Sequence, residues 1–402
     1  MFCRYQAGAI PCITCLTWSA AALPAIYTGK RAPASDPAPY KEEETMPPIR
    51  RPSCADAGSA MPEQECRTPR IRWWLLLLPL ALLLASVSVI GSAAELPKII
   101  YVRPVPNNDD VLLQQGSSGV SNAAKLYRLQ ASTLESQPTR AGRQQQLDNA
   151  VQQGAAIVVV MGIEFKEILD KVARQAPQIR FLILEHCIDN AASNITCITF
   201  RENEASYLAG MQAALASGSG KIGLIGASNT ALRQKNGIAF ANGARAAKPT
   251  ITVHEPLWVE GPQPFNDPPR AEALTKTMLG DGVDVIWAAA AGSNSGVFKA
   301  LTPQSRAKAI GSGVNQCIQA PGRVLDNVEV HADTAIILAV GLLANGSTAP
   351  RFDFGLKEGA VALTALGLDA AYSECEILRQ RPLLLKLRET SSAIVSGKLK
   401  ID

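Results

Sequence analysis

Glycine-rich segments are the first places in this sequence where residue types and spacing suggest chemistry. Gly218–Gly223 has the G-x-G-x-x-G spacing of a dinucleotide-binding loop, but it follows a predicted helix and opens a predicted strand, the reverse of what that loop requires. A P-loop is excluded as well, because Ile222 stands where serine or threonine is needed. Gly292–Gly296 has the length of a nucleophile elbow, but Asn294 occupies the place of the nucleophile. These segments therefore predict turns rather than catalytic sites.

The histidines of the sequence indicate neither a catalytic site nor a metal site. The chain has three histidines, His186, His254 and His331, which lie far apart in the sequence and have no partner at metal-ligand spacing. We interpret each as a surface or hydrogen-bonded histidine. Without a nucleophile, a paired base or a ligand cluster, the sequence predicts a protein that is not an enzyme and that uses no metal or cofactor.

Polar loops that follow predicted strands are the remaining candidates for a functional site. Such loops offer free backbone N–H groups and small hydroxyls to a ligand, and Phe265 adds a ring that can stack. The same residue types are common in ordinary βα turns, so both interpretations stay open on the residues alone, and we favour binding. The candidate ligand-binding residues are Glu185, Phe265, Gly292, Ser293, Asn294, Gly313 and Gln316.

Apolar strands and amphipathic helices alternate from residue 98 to residue 310, and these elements must position the loops. The predicted strands are Lys98–Val102, Ala155–Val160, Arg180–Leu184, Thr196–Phe200, Lys221–Ile225, Thr250–Leu257, Val283–Ala288 and Ala307–Ile310. The predicted helices are Glu164–Ala176, Glu202–Ala216, Ala231–Ala247, Pro269–Leu279 and Gly296–Leu301. The alternation predicts an α/β protein with two doubly wound parallel-sheet lobes, whose ligands sit beyond the carboxyl ends of the strands.

The first part of the chain has a different composition. Residues 1–70 are rich in proline, alanine, serine and charge, and we expect them to be disordered or not naturally translated, with Met46 or Met61 as the true start. Residues 71–94 combine a basic flank, an apolar run and small residues, the pattern of a secretory signal that is cleaved before Glu95. A retained membrane anchor is the alternative. Both interpretations predict an exported protein, periplasmic or attached to the outer face of the plasma membrane.

Charge, aromatic content and cysteine usage narrow the function further. A net charge of +4 and an aromatic content of 5% give no basic or stacking surface, so nucleic acid is not an expected partner.

Four cysteines follow residue 94, namely Cys187, Cys197, Cys317 and Cys375. In an oxidising compartment the simplest disulfide joins Cys187 to Cys197, while four buried thiols are the other open interpretation.

A family resemblance extends over residues 155–359. The segments that carry it are, in order, Phe200–Gly210, Gly220–Gly226 with Arg233, Phe240–Gly243, Phe265–Pro268, Val285–Gly292, Ala320–Gly322 and Gly355–Gly359. In these segments the chain resembles the basic membrane protein family of solute-binding proteins, whose best-known members are purine-nucleoside receptors of ABC importers. The resemblance implies a type I periplasmic-binding-protein fold, in which two lobes joined by a hinge close over one small ligand.

The resemblance also implies roles for individual residues. Phe265 matches the family's base-stacking phenylalanine, Glu185 matches an aspartate that ends a strand, and Ala291–Ser293 matches a glycine turn. Gly313 stands in the place of a ribose-binding aspartate and Val330 in the place of a lysine.

The loop of the first lobe departs from the family pattern too, because Asn107–Gly119 lacks the family's D-K-S-F-N motif. Each missing charged hydrogen bond removes about 1.5–3 kcal/mol of binding free energy. We therefore expect purine nucleosides to bind weakly or not at all.

These observations predict a solute-binding protein that captures a small ligand between two lobes and passes it to an ABC permease. The alternative is a membrane-tethered ligand sensor or scaffold with the same fold. We expect the N-terminal lobe at 95–215 with a crossover segment near 324–345, and the C-terminal lobe at 216–320 with part of 350–372. Residues 374–402 are expected to form a tail that packs on a lobe or faces a partner.

Overall fold

The computed structural model describes residues 95–106, 110–302 and 306–401. The expectations for residues 1–94, including the signal or anchor, lie outside the described residues. Within the described ranges, no helix combines the length and the apolar character needed to cross a membrane.

Two β-sheets, both mainly or wholly parallel, organise the described chain. The first contains β1 (Lys98–Arg103), β2 (Gln130–Glu135), β3 (Ala155–Met161), β4 (Arg180–Leu184), β5 (Ile195–Phe200) and β12 (Arg351–Phe354). The second contains β6 (Lys221–Gly226), β7 (Thr252–Val253), β8 (Leu257–Trp258), β9 (Val285–Ala289), β10 (Lys308–Gly313), β11 (Val324–Val330) and β13 (Val361–Leu363). Their strand orders are β12-β5-β4-β3-β1-β2 and β13-β11-β10-β9-β6-β7, with β8 beside β6. Only β13 pairs antiparallel among these described strands.

Helices cover both faces of the first sheet and pack around the second. They are α1 (Val111–Tyr127), α2 (Arg140–Gln152), α3 (Lys166–Gln175), α4 (Glu202–Ala216), α5 (Ala231–Ala247), α6 (Pro268–Gly280), α7 (Asn294–Ala300), α8 (Ala332–Ala344) and α9 (Arg381–Val395). Alternate residues of β1 point to opposite faces: Ile99 and Tyr101 pack against α1 and α8, and Ile100 and Val102 pack against α2 and α3. The fold is therefore the two-lobed α/β fold that the sequence predicts.

Two sequence predictions about local structure are wrong, and one helix was not predicted. The single strand expected at Thr250–Leu257 is two short strands, β7 and β8, because Pro256 between them has no N–H to donate to a ladder. The loop expected at Asn107–Gly119 is helical from Val111 onward, since Asp110 caps α1 by accepting hydrogen bonds from the N–H groups of two leucines. Helix α2 was not predicted, because its sequence is mostly polar and buries few apolar side chains.

The chain passes between the two lobes three times. After β5 it enters α4, whose buried side chains belong to the core around the second sheet. After β11, in the second sheet, it enters α8, which packs on the first. After β12, in the first sheet, it enters β13 in the second. The first crossing thus lies near Arg201 rather than at the expected boundary of 215, because periodicity alone does not say which sheet a helix packs on.

Two disulfides and the last helix complete the molecule. Cys187 is bonded to Cys197, which confirms the simplest predicted pairing, and Cys317 is bonded to Cys375. The second bond joins the loop after β10 to the segment that follows β13. Helix α9 buries Leu383, Leu384, Leu387 and Ile394 in the core of the second lobe, so the tail packs on a lobe.

Candidate ligand-binding site

Glu185 lies directly beyond the carboxyl end of β4, at the edge where ligands of such sheets bind. Its φ of 70° is left-handed, and the N–H of His186 donates to the Leu184 carbonyl at 2.9 Å. This combination forms a γ-turn of positive φ, a rare and strained turn. The Glu185 N–H donates to Ile198 O on β5 at 2.8 Å, so the strained residue is fastened to the neighbouring strand.

The Glu185 carboxyl lies among charges from both lobes. Burial raises the pKa of this carboxyl to about 7. The negative charges of Glu202, Asp110 and Glu164 raise this pKa as well. The positive charge of the Arg233 guanidinium lowers it. Because α4 and α5 belong to the second lobe, Glu185 is within electrostatic reach of groups across the space between the lobes.

Glu202 opens α4 and accepts hydrogen bonds from two residues of α5. Arg233 Nη1 lies 3.3 Å from Glu202 Oε2, and Asn236 Nδ2 donates to the same oxygen at 2.9 Å. Glu202 and Asn236 are 8% and 1% exposed. The contacts with Glu202 therefore fix the position of Arg233, the cation that lowers the pKa of Glu185.

Two glycines let α4 and α5 approach closely enough for these contacts. A Cβ on Gly210 would overlap the Phe240 carbonyl, and a Cβ on Gly243 would overlap the Tyr207 carbonyl. Backbone thus packs against backbone at both positions. The spacing of α4 and α5 in turn sets the distance between Glu202 and Asn236.

Phe265 stands on the second lobe and is 50% exposed. Its loop is held by the buried Ser293, which accepts a hydrogen bond from Asp267 N at 2.7 Å and donates to Pro264 O at 3.0 Å. The Ser293 N–H also donates to Phe265 O at 3.1 Å. A Cβ on Gly292 would come within 3.0 Å of that same carbonyl, so glycine permits the close approach. These contacts fix the backbone below an exposed aromatic ring.

Asn294 and Gln316 are buried and bonded to each other. Asn294 Nδ2 donates to Gln316 Oε1 at 2.9 Å and to Ala288 O at 2.9 Å, while Asn294 Oδ1 accepts from Ala290 N at 2.8 Å. Gln316 Oε1 also accepts from Ser312 N at 3.1 Å. Both side chains therefore hold the carboxyl ends of β9 and β10 together. A contact between either of them and a ligand stays a prediction.

Gly313 ends β10 in a left-handed conformation, with φ of 87° and open space where a side chain would stand. Its partner in register on β11 is Glu329. The Glu329 carboxylate accepts a hydrogen bond from Thr364 at 2.6 Å and lies 3.4 Å from His331 Nε2. A carboxylate thus stands at this level of the sheet on the neighbouring strand, at Glu329 and not at position 313.

The structure groups the predicted residues into separate sets. One set is the loop of Phe265 together with the turn at Gly292 and Ser293 that holds it. A second set is the buried, hydrogen-bonded pair of Asn294 and Gln316. Glu185 lies apart from both, on the first lobe. Sequence reasoning missed Glu202 and Asn236, because their contact depends on how α4 packs after the crossing. The signal available was their presence in or near segments that carry the resemblance. Within the described residues, no group of His, Cys, Asp or Glu is arranged to hold a metal ion.

Two curated proteins illustrate what this chain is similar to in sequence. A "CD4+ T-cell-stimulating antigen" of Listeria innocua is 28% identical over 267 residues, which cover 63% of this chain and 72% of that protein. An "ABC transporter nucleoside-binding protein BmpA" of Lactococcus lactis subsp. cremoris is 30% identical over 169 residues, 42% of this chain and 45% of that protein.

Solved structures share the fold. A solute-binding protein of an ABC transporter system from Aeropyrum pernix K1 aligns with a TM-score of 0.60 at 20% identity, covering 76% of this chain and 92% of that one. A transcriptional activator of the comK gene from Bacillus halodurans aligns with a TM-score of 0.62 at 18% identity, covering 75% and 99%. The model of one protein family matches residues 97–394. The chain belongs to this family, the Bmp family of PnrA-like ABC transporter substrate-binding proteins.

Proposed function

We propose that this protein captures a small solute between its two lobes and delivers it to an ABC permease. The observation that carries the proposal is the position of Glu185, which ends a strand of the first lobe within reach of Glu202 and Arg233 of the second. A ligand in this space would contact both lobes together only when they are closed. Binding would therefore shift the equilibrium of the hinge towards closure.

The chemistry of the site favours a neutral ring compound as the ligand. Phe265 offers an exposed ring for stacking, and Glu185 offers hydrogen-bonding oxygens for the edge of a base-like ring. Gly313 has no side chain to hold sugar hydroxyls. We therefore propose a nucleoside-like ligand whose sugar contacts are weakened, bound less tightly than by a site with a complete charged clamp.

We further propose that the protein acts outside the cytoplasm. Two disulfides, Cys187–Cys197 and Cys317–Cys375, support this location because such bonds persist in oxidising compartments. Its membership of a substrate-binding family and the absence of a nucleophile–base pair from the predicted site residues support a non-enzymatic role.

A thermal-shift screen against nucleosides, bases, amino acids and sugars tests the proposal. A ligand present at about 100 times its dissociation constant adds about 2.7 kcal/mol to the free energy of unfolding. We expect a shift with a nucleoside or base, and its loss in Glu185→Gln and Phe265→Ala. A shift with a sugar or amino acid instead would keep the capture role and change the ligand class. If no compound of the panel raises the unfolding temperature, the proposed capture of a solute is contradicted, and a tethered sensor or scaffold is favoured.

A further inference from the structure

We propose that the Cys187–Cys197 disulfide is a positioning device for Glu185, and that its oxidation state sets the affinity of the site for its ligand. The proposal rests on the proposed function, in which Glu185 contacts the ligand. Three features of the loop between β4 and β5 carry it: the turn at its start, the fastening of its far half, and the surroundings of the two sulfurs.

The chain reverses direction at Glu185. In the first sheet, Ile183 on β4 is in register with Cys197 on β5. Cys187 is bonded to Cys197, so the residue two positions after Glu185 has turned back to the level of Ile183 and lies beside β5. The γ-turn at Glu185 makes this reversal, and a residue with a Cβ adopts such a conformation only where its surroundings impose it.

The far half of the loop is fastened to helix α3 by hydrogen bonds. Asp170 accepts from Ala192 N at 2.8 Å, and Arg174 Nη2 donates to Asn190 O at 2.9 Å. The buried Asn194 amide donates to three backbone carbonyls around the end of α3 at 2.9–3.0 Å. The near half is fastened to β5 by the disulfide and by the hydrogen bond from the Glu185 N–H to Ile198 O. Cutting the disulfide would remove the covalent one of these two attachments and loosen the turn at Glu185, while the far half stays in place.

The two disulfides differ in their surroundings. Cys187 is half-buried, and Arg351 Nη2 lies 3.0 Å from its sulfur. A cation at this distance stabilises a thiolate on Cys187 once the bond is broken. Cys317 and Cys375 are 0% and 2% exposed, so a reductant in solution does not reach them in the folded protein. A dithiol added under native conditions would thus act on Cys187–Cys197: the S–S bond breaks, each sulfur gains a hydrogen, and the dithiol closes to its own disulfide.

Release of the turn would change the surroundings of the Glu185 carboxyl. In the oxidised protein this carboxyl faces the charges of Asp110, Glu164, Glu202 and Arg233, which stand on or next to α1, α3, α4 and α5. A loosened turn would let the carboxyl move towards water and away from these groups. We expect its pKa to fall from about 7 towards the ordinary glutamate value, and the ligand to lose a fixed hydrogen-bonding partner.

The titration of Glu185 in ligand-free protein tests the positioning role directly. The side-chain carboxyl is followed by NMR in protein labelled with ¹³C-glutamate, and its resonance is identified by its absence in Glu185→Gln. We expect a midpoint near 7 in the parent and in the control variant Cys317→Ala/Cys375→Ala, and a lower midpoint in Cys187→Ala/Cys197→Ala. An unchanged midpoint in Cys187→Ala/Cys197→Ala would overturn the proposal.

Guanosine binding, measured by calorimetry on the same proteins, tests the consequence for affinity. We expect at least a tenfold weaker affinity in Cys187→Ala/Cys197→Ala and an unchanged affinity in the control. Equal affinity in the two variants would overturn the link to binding. If guanosine binds none of the proteins, the proposed nucleoside ligand fails, while the titration still decides the positioning role. Should Cys187→Ala/Cys197→Ala not fold, native reduction of the parent with dithiothreitol, with cleavage of Cys187–Cys197 confirmed by mass spectrometry, provides the same comparison.

Discussion

Glu185 combines an ionisable side chain with a left-handed backbone conformation, which L-residues rarely adopt. Both features lower the stability of the fold. Replacing it with glycine removes the penalty of a Cβ at positive φ and the cost of a half-buried carboxylate, so we expect Glu185→Gly to raise the free energy of unfolding by about 0.5–1 kcal/mol. Denaturant unfolding measures this change. Asp189→Gly, in the same loop but without a positive φ, is the control and should not stabilise. A Glu185→Gly protein less stable than the parent would contradict the strained turn.

The raised pKa of Glu185 predicts how stability depends on pH. The folded state binds this proton more tightly than the unfolded chain, so stability falls as the pH rises from about 4.5 to 7 and the carboxyl ionises within the fold. Glu185→Gln should make the curve of unfolding free energy less steep across this window. Glu272→Gln is the control, because two lysines lower the pKa of Glu272 in the fold to about 2, so its removal does not abolish a loss of stability as the pH rises. Identical slopes in the parent and Glu185→Gln would exclude an unusual titration of this residue.

Helices α4 and α5 depend on two glycines for their close packing. A methyl group on Gly210 or Gly243 would overlap a backbone carbonyl that cannot rotate away, so we expect each change to alanine to cost about 1–3 kcal/mol of stability. Both changes would also pull Asn236 and Arg233 away from Glu202 and weaken ligand binding. Thermal unfolding together with the ligand titration measures both effects.

Gly237, which lies on α5 as Gly243 does, is the matched control for Gly210 and Gly243. Its added methyl would meet only the end of the Leu224 side chain, at 3.2 Å. Alanine also favours a helix over glycine by about 1 kcal/mol. Gly237→Ala should therefore be neutral or stabilising. A similar loss of stability in all three variants would show that the effect does not come from the contact between the helix backbones.

The elements that the sequence predicted well are those whose apolar pattern matches their surroundings. Strand β4 and helices α4 and α5 were located at both ends, because β4 is a continuous apolar run and clear stop signals follow α4. Strand β2 was missed because its side chains are mostly exposed and polar. At the site, Glu185 was predicted from its place after a strand. The burial of Asn294 and Gln316 and the pairing of Glu202 with Asn236 depend on tertiary contacts that periodicity does not encode.

Arg201 connects two of the three crossings between the lobes. Its guanidinium lies 2.7 Å from Glu204 on α4 and 2.6 Å from Glu358, which follows β12, and it also donates to the Asp353 carbonyl. We expect Arg201→Ala to lower the free energy of unfolding by about 1–3 kcal/mol, because it removes several charged hydrogen bonds in a half-buried place. Lys386→Ala, which breaks an exposed ion pair with Glu389, is the control and should cost less than about 1 kcal/mol. Equal effects in the two variants would mean that the crossings do not depend on Arg201.

The three crossings have a consequence for the order in which the chain is completed. Strand β12 pairs with β5 across about 150 residues of sequence, and α8 packs on α1 over a longer separation, so the first lobe lacks an edge strand and a covering helix until residue 354 has been made. Contacts of such long range form slowly, because the closure of a large loop precedes them. We expect a chain with this topology to leave its first lobe incomplete while its first half is synthesised. For a protein proposed to leave the cytoplasm, such a delay favours a polypeptide that is still unfolded when it reaches a translocation channel.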